Sequence, residues 1–145
     1  MNSKKLRERG STMLYPMFIL VMMTMAIMVI TARARMASVR DGSVSISYYS
    51  LMQGESPPEF IEKTTRHFNN LFEVPTLFYA GGAVYLAMDL TSQMPIFCAW
   101  AFVAFRIIHT FIHLGYNNVL HRLIVFGLGN ISIMFLWIGI LRSAS

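Results

Sequence analysis

Four long apolar stretches, residues 13–32, 69–88, 94–116 and 120–141, alternate with short polar segments along the chain. Each approaches the ~20 residues that carry an α-helix across a hydrocarbon core at ~1.5 Å per residue. The pattern predicts an all-α integral membrane protein, a four-helix transmembrane up-down bundle. It is expected to form one domain over residues 1–145, with a polar loop over 33–65. Before the first run stand Lys4, Lys5, Arg7 and Arg9. The run is too long for a signal peptide, and the small-residue pattern after it contains an arginine, so it is expected to stay as the first span.

A second pattern is superimposed on the first. Glu62, Arg66, Asn69, Asn70 and Glu73 fall within an arc of about 100° on a 3.6-residue helix. They lead into the apolar residues after Val74. A charged stripe at the mouth of a membrane helix is costly against lipid and is expected to face protein or a wet cavity. Pro75 removes a backbone donor and predicts a kink beside Glu73. Arg106, His109, His113 and Tyr116 share one face of the third run, and Arg122, Phe126 and Asn130 one face of the fourth.

In an up-down bundle the end of span one, the start of span two, the end of span three and the start of span four lie on one side of the membrane. Those ends carry Arg33 and Arg35, Arg66 and Glu73, His109 and His113, and Arg122. The expectation is a single, mostly cationic cavity. Arginines with imidazoles and amides suit an anionic, flexible ligand, because guanidinium forks hold carboxylates in bidentate fashion. The same residues also allow buried pairs that only fix helix register. His109 and His113, four apart, have a chelating spacing, but neighbouring arginines oppose a dication, and no metal is assigned.

Composition narrows the remainder. Of 145 residues 55% are hydrophobic and 13% charged, against roughly 25% charged in soluble domains. The net charge of +5 lies at the flanks of the apolar runs, which reads as membrane-flanking Lys and Arg and not as a nucleic-acid surface. A single cysteine, Cys98, excludes an internal disulfide and a thiolate metal cluster, and its apolar surroundings predict a buried, inert thiol. The methionines of the first run read as lipid or helix contacts. Gly81-Gly82-Ala83 reads as a close helix contact. The segment 41–59 reads as a connecting loop with a short extended piece over 43–49. His67 and His121 read as surface or headgroup contacts.

The order Glu62-x3-Arg66-x3-Asn70-x2-Glu73, then Arg106-x2-His109 and Leu114-Gly115, then Arg122 resembles the MAPEG family, the small four-span membrane proteins of eicosanoid and glutathione metabolism. The resemblance covers all four spans and suggests a divergent, bacterial-type member in a bacterial inner membrane. It implies a homotrimer that binds glutathione between subunits. Arg33, Arg66, Asn70, Glu73, His109 and His113 would hold the tripeptide, and Arg122 would activate its thiol. The implied function is a glutathione-dependent transferase or peroxidase acting on lipophilic small-molecule electrophiles that arrive through membrane lipid. The alternative is a non-catalytic protein binding another anion or lipid on the same scaffold. The family's pattern is departed from at Asn69, an arginine elsewhere, at His113 and Phe126, tyrosines elsewhere, and at Leu123, a serine elsewhere.

Overall fold

The computed structural model describes residues 12–51, 53 and 57–144, which are helical without a strand. The helices are α1 (Leu14–Arg40), α2 (Ile46–Leu51), α3 (Glu59–Asn70), α4 (Val74–Ala87), α5 (Gln93–Leu114) and α6 (Val119–Ala144). Three of them, α1, α5 and α6, are long and apolar enough to cross a membrane. Their outward faces carry large apolar side chains such as Phe18, Met22, Phe97, Phe111 and Leu141. Met25 and Met28 are also exposed, which suits the expected lipid contact of the methionine-rich run.

α1 continues past its apolar run to Arg40, because Ala, Arg and Met in its last turns are good helix formers. It stops at Gly42, whose φ of 75° is a conformation that favours glycine. The following segment differs from the expected extended piece: residues 46–51 form the short helix α2. Tyr49 of α2 shares a hydrogen bond of 2.8 Å with Ser38, and the Arg35 guanidinium lies 5.5 Å from its ring centroid. These contacts turn the segment back onto α1.

The predicted second span is divided. α3 ends at Asn70, residues 71–73 form a turn, and α4 starts at Val74 with Pro75 in its first turn. Two causes act together. Pro75 has no N–H to offer the carbonyl of Leu71. In addition, Arg106 Nη2 donates to the Asn70 carbonyl at 3.1 Å, giving it a partner outside the helix. The break leaves α4 with 14 residues. At ~1.5 Å per residue that is shorter than a ~30 Å hydrocarbon core.

The core joins α1, α4, α5 and α6. Leu20, Phe78, Phe102 and Leu136 are fully buried, and the rings of Phe78 and Phe102 stand 4.9 Å apart. The small-residue patch lets helices approach closely: a methyl on Gly81 would lie 2.6 Å from Leu136 Cδ2, and one on Gly82 2.6 Å from Met17 Sδ. Trp137 Nε1 donates to the Leu77 carbonyl at 3.2 Å, tying α6 to α4. Cys98 is buried, as expected.

α3 sits between the ends of α1 and α5. Thr31 Oγ1 donates to the Thr64 carbonyl at 3.3 Å and Arg35 Nη2 to Thr65 Oγ1 at 3.1 Å. Facing α5, His67 Nε2 lies 2.9 Å from Thr110 Oγ1. The polar helix is thus held at the end of the bundle where α5 turns into α6.

Candidate functional site

A cavity of about 480 Å³ opens at that end. α3 and the turn after it contribute Arg66, Asn69, Asn70 and Glu73, and α5 contributes His109 and His113. The third wall is α6, with Val119, Arg122, Leu123 and Phe126. Six of the seven residues singled out in the sequence therefore line one space. The seventh, Arg33, lines a separate cleft with Arg40 and Asp41 near the end of α1. The departures at Asn69, Leu123 and Phe126 face the same cavity as the matching residues.

Local structure explains how each wall is set. On α3 the first arginine of the stripe is exposed and pairs one turn back with Glu62, while Glu62 itself lies outside the cavity wall. At the end of α3, Arg106 Nη2 donates to Asn70 Oδ1 at 2.7 Å, and Asn70 Nδ2 faces Glu73 Oε2 at 3.4 Å. This chain fixes the one carboxylate of the cavity. On α6, Arg122 Nη1 donates to Asn117 Oδ1 at 2.8 Å. Asn117 adopts φ 52° in the α5–α6 turn, a left-handed conformation that asparagine tolerates.

The cationic groups carry unused donors. Arg106 is 2% exposed, and its Nε and Nη1 have no hydrogen-bond partner among the described residues. Arg122 Nε is buried in the same condition. Buried donors without partners are rare, and Arg122 stands in the wall of a space large enough for a ligand.

Sequence reading missed two participants. Arg106 belonged to the motif without being placed in the site, yet it holds Asn70. His67, expected at a surface, is fully buried and stacks between α3 and α5. Burial first, then the neighbouring His113, His109, Arg106 and Arg122, push its pKa down to about 3. The signal for its burial was present: Ile61, Thr64, His67 and Leu71 recur at helical spacing, and all four are buried. Among the described residues no group of three His, Cys, Asp or Glu side chains is placed to hold a metal ion.

The fold and site together define an all-α protein of membrane-crossing helices with a polar, cationic cavity at one end. The MAPEG family model matches residues 13–142, and the chain belongs to the MAPEG family. It is accordingly an integral membrane protein in contact with lipid. The family includes glutathione transferases and peroxidases as well as other members. No curated protein and no solved structure matches the chain.

Proposed function

We propose that the protein is a glutathione-dependent membrane transferase or peroxidase acting on lipophilic electrophiles. The observation that carries this reading is the convergence of Arg66, Asn70, Glu73, His109, His113 and Arg122 on one cavity. Glutathione is consumed there as a substrate and brings two carboxylates, one ammonium group and the reactive thiol. Arg66 offers an exposed fork for a carboxylate, and Glu73, oriented by Asn70, an acceptor for the ammonium group. Arg122 supplies positive charge that favours a thiolate over a thiol. Its partnerless Nε fits an anionic guest. The electrophile would enter from lipid, and the exposed apolar residues Leu123 and Val119 form that side of the mouth.

The reading includes a single domain with four crossings, α4 completing the fourth, in a bacterial inner membrane. It also includes a homotrimer. Arg33 lies outside the cavity of its own chain, and in a trimer it would reach the cavity of a neighbouring copy.

A second reading is favoured by a specific observation. Asn69, Leu123 and Phe126 all face the cavity, so the lost arginine and hydroxyls are lost from the ligand's surroundings. On this reading the scaffold binds another anion or a lipid without catalysis. Calorimetry of glutathione binding to the detergent-purified protein separates the two. Binding that weakens sharply in Arg122→Ala and Glu73→Gln supports the enzyme. Absence of binding at millimolar glutathione removes it.

A further inference from the structure

Three imidazoles meet behind and along the cavity wall. The ring centroids of His67 and His113 are 5.0 Å apart, those of His67 and His109 5.6 Å, and those of His109 and His113 5.7 Å. None is more than 4% exposed, and each has a buried Nδ1 with no hydrogen-bond partner among the described residues. Two of the three, His109 and His113, line the cavity, and His67 stands behind them.

Thr110 sets the tautomer of His67. Its hydroxyl donates to the carbonyl of Arg106, one turn earlier, at 2.9 Å. A hydroxyl has one proton, so the 2.9 Å contact with His67 uses the His67 Nε2–H as donor. The other nitrogen of His67 is then a bare lone pair in a water-poor place. An N–H···N bond between two imidazoles sets their centroids about 5 Å apart. The His67–His113 separation of 5.0 Å is close to that spacing, although neither Nδ1 is bonded while both rings are neutral.

Forming a thiolate requires somewhere for the proton to go. Arg122 stabilises the anion but cannot take the proton, since a guanidinium is already fully protonated. Glu73 is engaged with Asn70. The His109 ring lies 6.0 Å from that of Phe126, tilted by 49°. His113 lies one helical turn nearer the turn from which Asn117 holds Arg122.

We infer that His113 is the catalytic base that receives the thiol proton, and that His67 is the positioning residue that holds it. The inference rests on the glutathione reading above. The S–H bond breaks and an N–H bond forms on His113. The sulfur lone pair then forms the C–S bond with the electrophile. The displaced group, or the carbon left anionic by addition, takes the proton back from His113. Once His113 is protonated, a small rotation of its ring would let His67 accept a hydrogen bond from it through the bare nitrogen. The transfer exchanges two neutral groups for an ion pair and leaves the cavity's net charge unchanged. The charged or titratable groups facing His113 are His67, Lys63 and Arg66 from α3, His109 from its own helix and Arg122 from α6.

The test counts protons. Glutathione is titrated into the full-length protein in detergent, in two buffers of different ionisation enthalpy, while the ultraviolet band of bound thiolate is recorded. The wild type is expected to form thiolate and release close to no proton, because His113 retains it. His113→Gln is expected to release about one proton per thiolate formed or to form no thiolate, and added imidazole should restore thiolate formation in His113→Ala. His67→Gln should keep the base but slow thiolate formation by about tenfold, with a shifted pH profile. This variant leaves the cavity wall intact, so it tests the pair even where changes at His113 impair folding. Full proton release by the wild type, or thiolate formed by His113→Gln to the wild-type extent with no proton released, overturns the assignment and leaves glutathione binding standing. No glutathione binding at all overturns both the function and the base.

Discussion

Arg106 reaches from α5 to the last residue of α3, where its Nη2 lies 2.7 Å from Asn70 Oδ1 and 3.1 Å from the Asn70 carbonyl. One side chain thus ends a helix and orients the residue that faces Glu73. It does so without an ion-pair partner within 4.0 Å among the described residues, at 2% exposure.

That arrangement separates stability from binding. A buried cation without a carboxylate is costly, and replacing buried charge by an apolar side chain of similar size is often neutral or stabilising. Against this, Arg106→Met strands the Asn70 carbonyl and amide oxygen, at about 1–3 kcal/mol. The two effects nearly cancel, so thermal stability is expected to change little. Glutathione affinity is expected to fall at least about tenfold, because Glu73 loses its support. Thermal unfolding and calorimetry on the same preparation check the split. A large loss of stability with unchanged affinity would make Arg106 a purely structural residue.

The pH dependence of stability follows from His67, which lies on α3 outside the three candidate spans. Its native pKa is pushed down to about 3 from an ordinary 6.5. Between those values the unfolded chain binds the proton and the folded chain does not, so stability rises with pH. The contribution is complete above about 6.5 and is lost as pH falls toward 3. At pH 5 the loss is about 2 kcal/mol, from 1.5 pH units at about 1.4 kcal/mol each. Thermal melts of wild type and His67→Gln from pH 5 to 8 should diverge in acid, the variant losing less. Parallel curves would show that His67 is not the acid-sensitive group.

The close approach at α4 predicts unequal effects of adjacent glycines. A methyl on Gly81 would meet Leu136 Cδ2 at 2.6 Å and the Trp137 ring at 3.3 Å, and Leu136 is fully buried. A methyl on Gly82 would meet Met17 Sδ at 2.6 Å, but Met17 is flexible and only partly buried. Gly81→Ala should cost about 1–3 kcal/mol by overpacking and Gly82→Ala clearly less. Melting temperatures in one detergent decide the order, and equal or reversed costs would contradict the packing described.

The sequence made the helices and one polar end legible because both depend on local periodicity. Apolar runs located α1, α5 and α6. The stripe through Arg66, Asn70 and Glu73 located the cavity, since residues on one arc must face one neighbour. The break after Asn70 was less visible. Pro75 announced a disturbance, but a turn in place of a kink depends on Arg106, distant in sequence, taking a carbonyl. α2 was hidden for a similar reason: its serines and tyrosines alternate like a strand, and the bond from Tyr49 to Ser38 folds them onto α1. His67 lay on a readable buried stripe, whereas its neighbours His109 and His113 come from another helix and only the fold brings them together.

Asn69 gives the sharpest test of what the cavity is for. It is exposed, lines the cavity and stands where the MAPEG pattern resembled by this sequence has an arginine. An arginine there would add a fork beside Arg66 and Asn70 without displacing a buried group, so its effect on stability should be small. If the cavity receives glutathione, the new guanidinium gains a carboxylate partner, and Asn69→Arg should tighten binding by about tenfold, or roughly 1.4 kcal/mol. The gain should shrink at high salt, because an exposed charge pair is screened. Calorimetry at two salt concentrations measures both effects. A gain that persists for glutathione but is absent for a thiol lacking carboxylates would place the peptide's carboxylate on α3. No gain for either would mean that α3 does not face glutathione, and the second reading, a scaffold for another anion or lipid, would be preferred.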